Sequence, residues 1–502
     1  MVSTLPESET PPRQPSVRGA AAWAIAGQYL GFVIQFAASV IITRFFLAPA
    51  EIGLFSIALA AAMIVAILQD FGLTRYVTGR DELDDHEIAR CASVAVVFSL
   101  GIGLVIALAA PLLASFYGQP GLLPVLLVIA LSYLFSGFAI LPAALLGRDM
   151  AFRQVFAGNF VGALVQAGVG IGLAMAGCSA MALAWGMVAA AAARALVLQA
   201  CRPALPLPPR FDGIGDVVRF GSQSSSLFVI GAVGSRSADL IVGKLLSLAA
   251  TGLFTRATGL ATQLRSLVSG AIGSVLYPAL ARMKRQGQSL VEPYLRIVAC
   301  FTAGTWPAMA GVAIGAEPLV LALFGERWLG VVPVLRLIAI SEMVFEALPL
   351  QMEIPILHGA IRRLIPRNLL DTVASVGLLV LGGAISLEMA AASRIAYGLI
   401  WFGIYVRFGC SLIGLAPLRL VPIYLRSLAA TGAAVVPIGL AALAWPGFHD
   451  CGLAALGALA LAGGLCWLAA LWVLRHPLRD ELVHLAGLTG IGRRVSRHLG
   501  LA

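Results

Sequence analysis

The sequence predicts an all-α polytopic membrane protein of about fourteen transmembrane helices: two parallel six-helix repeats plus two extra C-terminal helices. Three observations predict it. Of 502 residues, 60% are hydrophobic and 12% charged, with a mean hydropathy of +0.94. Soluble domains carry about a quarter charged residues, so this chain has too little charge to cover a water-facing surface of its size. The apolar runs are about 20 to 28 residues long, which suits helices crossing a ~30 Å hydrocarbon core and lacks the ~10-residue alternation of an outer-membrane barrel. The third observation is an internal repeat. Together they exclude a soluble enzyme, a disordered chain and a disulfide scaffold.

Residues 1–17 are rich in Pro and Ser and carry Glu7 and Glu9. They form no basic n-region, and the apolar run that follows is too long for a cleaved signal. They read as a disordered cytoplasmic tail ahead of an uncleaved anchor. Apolar spans then fall at about 19–46, 52–74, 91–115, 121–146, 154–176 and 180–201, giving an N-terminal lobe over 18–202. The Pro-rich run from Arg202 to Arg210 opens an inter-lobe linker, 203–216. Spans at 217–245, 250–277, 294–315, 331–356, 364–386 and 389–413 make a C-terminal lobe over 217–413. Two more, 421–444 and 452–474, occupy 421–474. The tail 475–502 is basic, and its Leu478, Leu482, Leu485 and Leu488 recur at helical spacing. That pattern suits an interfacial helix on an anionic leaflet.

Charge orients these spans. Of 34 Lys and Arg, 25 fall in the tails and even-numbered loops, and two, Arg44 and Arg327, in the opposite loops. The positive-inside rule then places both termini in the cytoplasm. The net charge of +10 is thus a topology signal and not a nucleic-acid footprint. Seven Cys stand singly without a CxxC, which argues against a disulfide framework and a zinc site.

The two halves repeat in order. Pro124 to Ser132 (PVLLVIALS) recurs as PVLRLIAIS at 333–341, and Gly53-Leu54-Phe55-Ser56 recurs as Gly252-Leu253-Phe254-Thr255. A six-helix unit is even, so both copies share one orientation, as in transporters that rock two halves around a central site.

Five stretches in order, ITRFFLAPAEIGLFSIALA (41–60), FGLTRYVTGRDELDDHEI (71–88), LLGRDMAFR (145–153), DLIVGKLLSLAATGLFTRA (239–257) and LFGERWLGVVPVLRLIAIS (323–341), carry a family resemblance. The sequence resembles the lipid-linked oligosaccharide flippases (O-antigen and exopolysaccharide) of the multidrug/oligosaccharidyl-lipid/polysaccharide exporter superfamily, over roughly residues 18 to 445. It departs from the pattern at Phe254 and Gly259, where such proteins often carry Tyr and a bulkier polar residue. The resemblance implies two lobes around a central cavity in the inner membrane. It also implies translocation of undecaprenyl-pyrophosphate-linked oligosaccharide units by alternating access, for polysaccharide biosynthesis. Membrane lipids, a polysaccharide polymerase and glycosyltransferases are the partners it suggests, with no nucleic acid.

Ionisable residues at membrane depth cost a few kcal/mol and need a reason. Arg236, Lys244, Arg256 and Arg265, with Arg44 and Arg75, are candidates for holding a pyrophosphate, whose oxygens suit guanidinium forks and ammonium charges. The plainer readings are that Arg236 and Asp239, three apart, neutralise each other, and that Arg44 and Lys244 snorkel to a membrane face. Glu342, Glu346 and Glu353 form an acidic stripe at i, i+4 and i+11 on the span expected over 331–356. Asn368 and Asp371 share a face of the next span. With Asp239, these acids are candidates for coupling transport to Na+ or H+, the plainer reading being neutralisation by a neighbouring Arg. The Ser222–Ser226 run suits sugar hydroxyls or interhelical hydrogen bonds. Pro349 and Pro355 are candidate kinks.

No GxxxxGKS or GxxxxGKT run is present, so ATP hydrolysis within the chain is not indicated. All six His fall in loops or tails, no HExxH appears, and the periplasmic loops are short. The reading is therefore a non-enzyme without a resident cofactor. A multidrug or metabolite antiporter of the same superfamily and a membrane enzyme of polysaccharide assembly are the alternatives.

Overall fold

The computed structural model describes residues 17–67, 69, 73–78, 83–205, 234 and 236–488, with side chains for all of these except 17–28, 75, 268–279, 481 and 484–488. The described residues form helices and no strands. Among the described residues ten helices are long and apolar enough to cross a membrane, and Tyr29–Phe45 is a shorter apolar segment. The expected 421–444 is Val421–Ala444, while the expected 52–74 ends at Ala66 and the expected 250–277 runs on to Arg285. The expected linker 203–216, from residue 206 on, and the Ser222–Ser226 run lie outside the described residues.

The chain divides into two compact units, residues 1–42 with 65–226, and residues 43–64 with 227–502. In the first, α3 (Leu73–Thr78), α4 (Asp85–Tyr117), α5 (Leu122–Arg148), α6 (Phe152–Met175) and α7 (Ala180–Cys201) pack on one another. Asp84 starts α4 as an N-cap, accepting from the Glu87 amide at 2.6 Å, and Asp85 and Glu87 suit the positive end of the helix dipole. Gly118 ends it at φ 64°, the left-handed conformation in which glycine carries no Cβ penalty. Leu104, Leu108 and Leu112 stand on one face of α4 and are 60%, 69% and 70% exposed. Such a leucine face is stable against lipid and not against water.

The second unit holds α2 (Pro49–Ala66, up to residue 64), a helix over 236–245, and α9 (Leu248–Arg285) through α18 (Pro477–Leu488). In it the two copies of the Gly-Leu-Phe motif meet. A Cβ on Gly53 would collide with the Leu248 carbonyl, and a Cβ on Gly252 with the Pro49 carbonyl. Leu248 and Pro49 are themselves repeat mates, each four residues before its glycine. The crossing is therefore self-complementary, like an isologous contact between two copies, and small residues let the backbones touch.

The helix expected over 331–356 is broken around Pro349, one of its two candidate kinks. The chain is helical as α12 (Val331–Phe345), leaves the helix at Glu346, turns through Leu350 at φ 60°, and resumes as α13 (Glu353–Leu357). Pro349 supplies no amide and disfavours a helical residue before it. Non-helical backbone at membrane depth survives only where protein or a cavity satisfies it. Three aromatic donors do so: the Trp306 indole to the Met343 carbonyl at 2.7 Å, the Tyr424 hydroxyl to Ala347 at 2.7 Å, and the Tyr294 hydroxyl to Pro349 at 3.2 Å. Lys284 donates to the carbonyl of Leu357 at the end of α13, at 2.6 Å.

Candidate functional site

The break in α12 opens a cavity of about 580 Å³ in the second unit. Among the described residues its charged lining comes from five places. Arg265 lies on α9, Glu342 on α12, Glu346 and Glu353 at either end of the break, and Asp371 and Arg394 on α14 (Ile361–Gly383) and α15 (Leu387–Ile413). Four carboxylates face two guanidiniums, so the site is formally anionic and suits a cation.

On one side, Arg265 joins both acids of α12. Its Nε lies 2.9 Å from Glu342 Oε2, and its Nη1 donates to Glu346 Oε1 at 2.7 Å. Glu342 and Glu346 are 6% and 5% exposed, so their charges are tolerable only because Arg265 meets them. On the other side, Asp371 is 8% exposed, and its Oδ1 has no hydrogen-bond partner among the described residues. Arg394 and Tyr397 stand beside it. Arg394 is laid over the rings of Phe345 and Tyr397, 5.3 and 5.1 Å from their centres. Asn368, one turn before Asp371, also lines the cavity.

The remaining sequence candidates lie elsewhere. Asp239 accepts from the Thr255 hydroxyl at 2.8 Å, with Arg236 as its nearby positive charge. Lys244 is exposed near the end of the helix over 236–245, and Arg256 is half-buried on α9. Arg256 and Arg265 are nine residues apart, about 180° around a helix, so they point to opposite sides of α9. Arg44, in the last turn of α1 (Val17–Phe45), donates to the Ala322 carbonyl and, at 3.4 Å, to that of Leu321. These belong to the last turn of α11 (Ala316–Phe324), where a cation completes the helix end. The side chain of Arg75 lies outside the described residues.

The structure thus gathers Arg265, Glu342, Glu346, Asn368 and Asp371 into one cavity. Sequence reasoning reaches Arg394 only as a further charge within a span, without its partners, and passes over Tyr397. The available signal was weak: Arg394 is a lone Arg in an apolar span, and Tyr397 follows it at i+3.

A helical membrane fold with a charged cavity at a broken helix is the architecture of a membrane transporter. The fold is similar to solved members of the multidrug/oligosaccharidyl-lipid/polysaccharide exporter superfamily. Against the lipid II flippase MurJ in an inward closed conformation the TM-score is 0.72 at 11% identity, covering 92% of this chain and 100% of that one. Against MATE in complex with MaL6 it is 0.53 at 13% identity, covering 80% and 97%. The chain belongs to the polysaccharide biosynthesis protein family, whose model matches residues 41–333. Among curated relatives, the succinoglycan biosynthesis transport protein ExoT of Rhizobium meliloti (strain 1021) is 24% identical over 361 residues, 67% of this chain and 68% of that protein. The lipopolysaccharide biosynthesis protein WzxC of Escherichia coli (strain K12) is 21% identical over 58% of this chain and 60% of its own length. The teichuronic acid biosynthesis protein TuaB of Bacillus subtilis (strain 168) is 18% identical over 55% and 57%.

Proposed function

We propose that the protein is a flippase that moves undecaprenyl-pyrophosphate-linked oligosaccharide across the inner membrane by alternating access. The observation that carries this reading is the family match over residues 41–333. Three relatives named for the biosynthesis of succinoglycan, lipopolysaccharide and teichuronic acid support it. Both termini face the cytoplasm in this reading, a polymerase and glycosyltransferases are its working partners, and the chain itself carries out no covalent chemistry.

Arg236, Lys244 and Arg256 are the cations proposed to meet the pyrophosphate. The guanidinium of Arg44 is committed to the carbonyls of α11 and that of Arg265 to two carboxylates. The cavity at the broken helix is the proposed seat of a coupling Na+ or H+, with Asp371 and Asn368 as its first contacts and Glu342 and Glu346 held in reserve by Arg265. An oxygen that is buried and unpartnered has a desolvation cost that an arriving cation relieves.

The test is reconstitution into proteoliposomes with a fluorescent lipid-linked oligosaccharide and a leaflet-selective quencher. The expected result is time-dependent transfer between leaflets, stimulated by an inward Na+ or proton gradient. The formally anionic cavity also suits an organic cation; export of a cationic dye without lipid transfer supports that antiporter reading. Polymer formation without transfer supports an enzyme.

A further inference from the structure

A further cavity, of about 360 Å³, lies where α10 (Val291–Ile314), the Pro417–Leu420 turn, α16 (Val421–Ala444) and α18 come together. Its charged lining is Arg296 and Arg419 against one acid, Glu292, and Leu295, Ile423 and two prolines supply an apolar wall. Three helix starts converge on it. Glu292 is in the first turn of α10, Pro422 in the first turn of α16, and Pro477 opens α18. Each start presents the positive end of its dipole. A third cation, Arg426, sits one turn beyond Pro422 on α16 and close enough to act on His476, the neighbour of Pro477.

The acid does not fill this positive field. Arg419 Nη2 lies 2.6 Å from Glu292 Oε1, but the two side chains are 50% and 66% exposed. A pair that wet is weak, and a guanidinium has five N–H donors, most of which a single carboxylate oxygen leaves available. The position matters as well. Membrane-spanning α10 and α16 begin here, which sets the cavity at the depth of lipid phosphates.

We propose that this cavity binds the phosphate of an anionic phospholipid headgroup. Arg296 and Arg419 take the phosphate oxygens, and the glycerol and first methylenes lie over Leu295, Pro422 and Ile423. A bound lipid bridges α10, α16 and α18, and so fastens the C-terminal helix to the two spans. The proposal stands independently of the transported substrate.

The full chain in detergent is titrated with phosphatidylglycerol, phosphatidylcholine or inorganic phosphate, and bound molecules are counted by native mass spectrometry. The expected result is retention of phosphatidylglycerol over phosphatidylcholine by at least about fivefold, since each basic residue near the headgroup contributes about that factor. Arg296→Gln with Arg419→Gln brings the ratio near one, while Arg336→Gln, outside the cavity, leaves it unchanged. Glu292→Gln raises the ratio, because it removes the competing acid. Equal retention of the two lipids by the parent chain overturns the proposal, as does an unchanged ratio in the double variant. Displacement of phosphatidylglycerol by millimolar inorganic phosphate points instead to a soluble anion, and also overturns it. If the double variant does not fold, Glu292→Gln decides: a raised ratio supports the lipid site and an unchanged one rejects it.

Discussion

The two sides of the cavity at the broken helix are built on opposite principles. On the α9–α12 side, one guanidinium is shared by two buried carboxylates at 2.9 and 2.7 Å, and their two negative charges more than offset that of Arg265. On the α14–α15 side, Asp371 keeps a buried oxygen without a partner among the described residues, and the neighbouring Arg394 is spread over two aromatic rings. The first arrangement is closed and ties two helices together; the second is open and waits for a cation. Both descend from the same kind of sequence signal, an ionisable residue in an apolar span. What separates structural from functional charge is whether the neighbours complete it.

The largest expected effect tests the closed side. Arg265→Met leaves Glu342 and Glu346 buried without their counter-charge, and breaking a buried pair by removing one partner costs about 3–5 kcal/mol. Thermal unfolding in detergent is expected to show that loss, and adding Glu342→Gln with Glu346→Gln is expected to recover most of it. An Arg265→Met protein as stable as the parent breaks the comparison, because Arg265 would then not be a tie.

A second closed cluster extends the comparison to the C-terminus. His476 is fully buried; its Nδ1 accepts from the Leu478 amide at 3.2 Å, which leaves Nε2 to donate to Ser427 Oγ at 3.1 Å. Ser427 in turn meets Thr302 at 2.8 Å, and Thr302 donates to the Val298 carbonyl. This closed chain has no place for a second ring proton. Burial, with the Arg426 charge nearby, pushes the His476 pKa down to about 4 from 6.5. Below pH 6.5 the unfolded chain takes up a proton that the folded one refuses, so this contribution is intact at neutral pH and declines as pH falls toward 4. The slope is about 1.4 kcal/mol per pH unit, or about 2 kcal/mol at pH 5. Unfolding temperatures at pH 7.5 and 5 measure it. His476→Gln is expected to remove that share of the acid sensitivity; an unchanged difference between the two pH values contradicts the closed chain.

The open side carries a smaller free energy but a sharper functional readout. Asp371→Asn keeps the side chain's shape beside Tyr397 and Arg394 and removes a charge whose Oδ1 has no hydrogen-bond partner among the described residues, so stability is expected to change by less than about 1 kcal/mol. Ion-stimulated transport is expected to fall at least about tenfold, equivalent to about 1.4 kcal/mol. If Asp371→Asn instead destabilises the protein as much as Arg265→Met does, the two sides are not different in kind.

Much of this was legible before any coordinates. The helices of the C-terminal part, such as Val421–Ala444 and Leu453–Val473, match their expected spans because apolar length is set by bilayer thickness. Pro49–Ala66, by contrast, ends short of the expected 74, and Leu248–Arg285 runs past the expected 277. Glu342 and Glu346 were readable as neighbours from their i, i+4 spacing. The partner of those acids was not, because Arg265 lies 81 residues before Glu346 and nothing local links α9 to α12. Glu353 was misplaced for a different reason. Helical periodicity carries a stripe across Pro349, whereas the chain turns there and hands its carbonyls to Trp306, Tyr424 and Tyr294. The prolines were flagged as kinks; that one of them ends the helix depends on aromatic donors from α10 and α16, which no window of sequence contains. The opposed directions of Arg256 and Arg265 follow from 100° per residue and needed no structure.

Arg44 carries the smallest expected effect and sharpens the comparison most cleanly, because the sequence leaves it open between holding a pyrophosphate and snorkelling to a membrane face. In the structure it is a closed cation: its guanidinium completes the last carbonyls of α11, and the Trp328 indole donates to the Thr43 carbonyl beside it at 3.1 Å. A cation on a helix C-terminus contributes about 0.3–1 kcal/mol. Arg44→Gln is therefore expected to lower stability by about that amount and to leave transport per folded molecule within about twofold of the parent. A residue that holds a transported diphosphate behaves in the reverse way. Losing a charge-assisted contact of that kind costs about 1.5–3 kcal/mol of binding, so transport would drop by tenfold or more with no change in unfolding temperature. Measured together, stability and transport separate the two roles of Arg44, and Arg44→Lys adds a check, since an ammonium preserves the charge at the helix end but not the fork of the guanidinium.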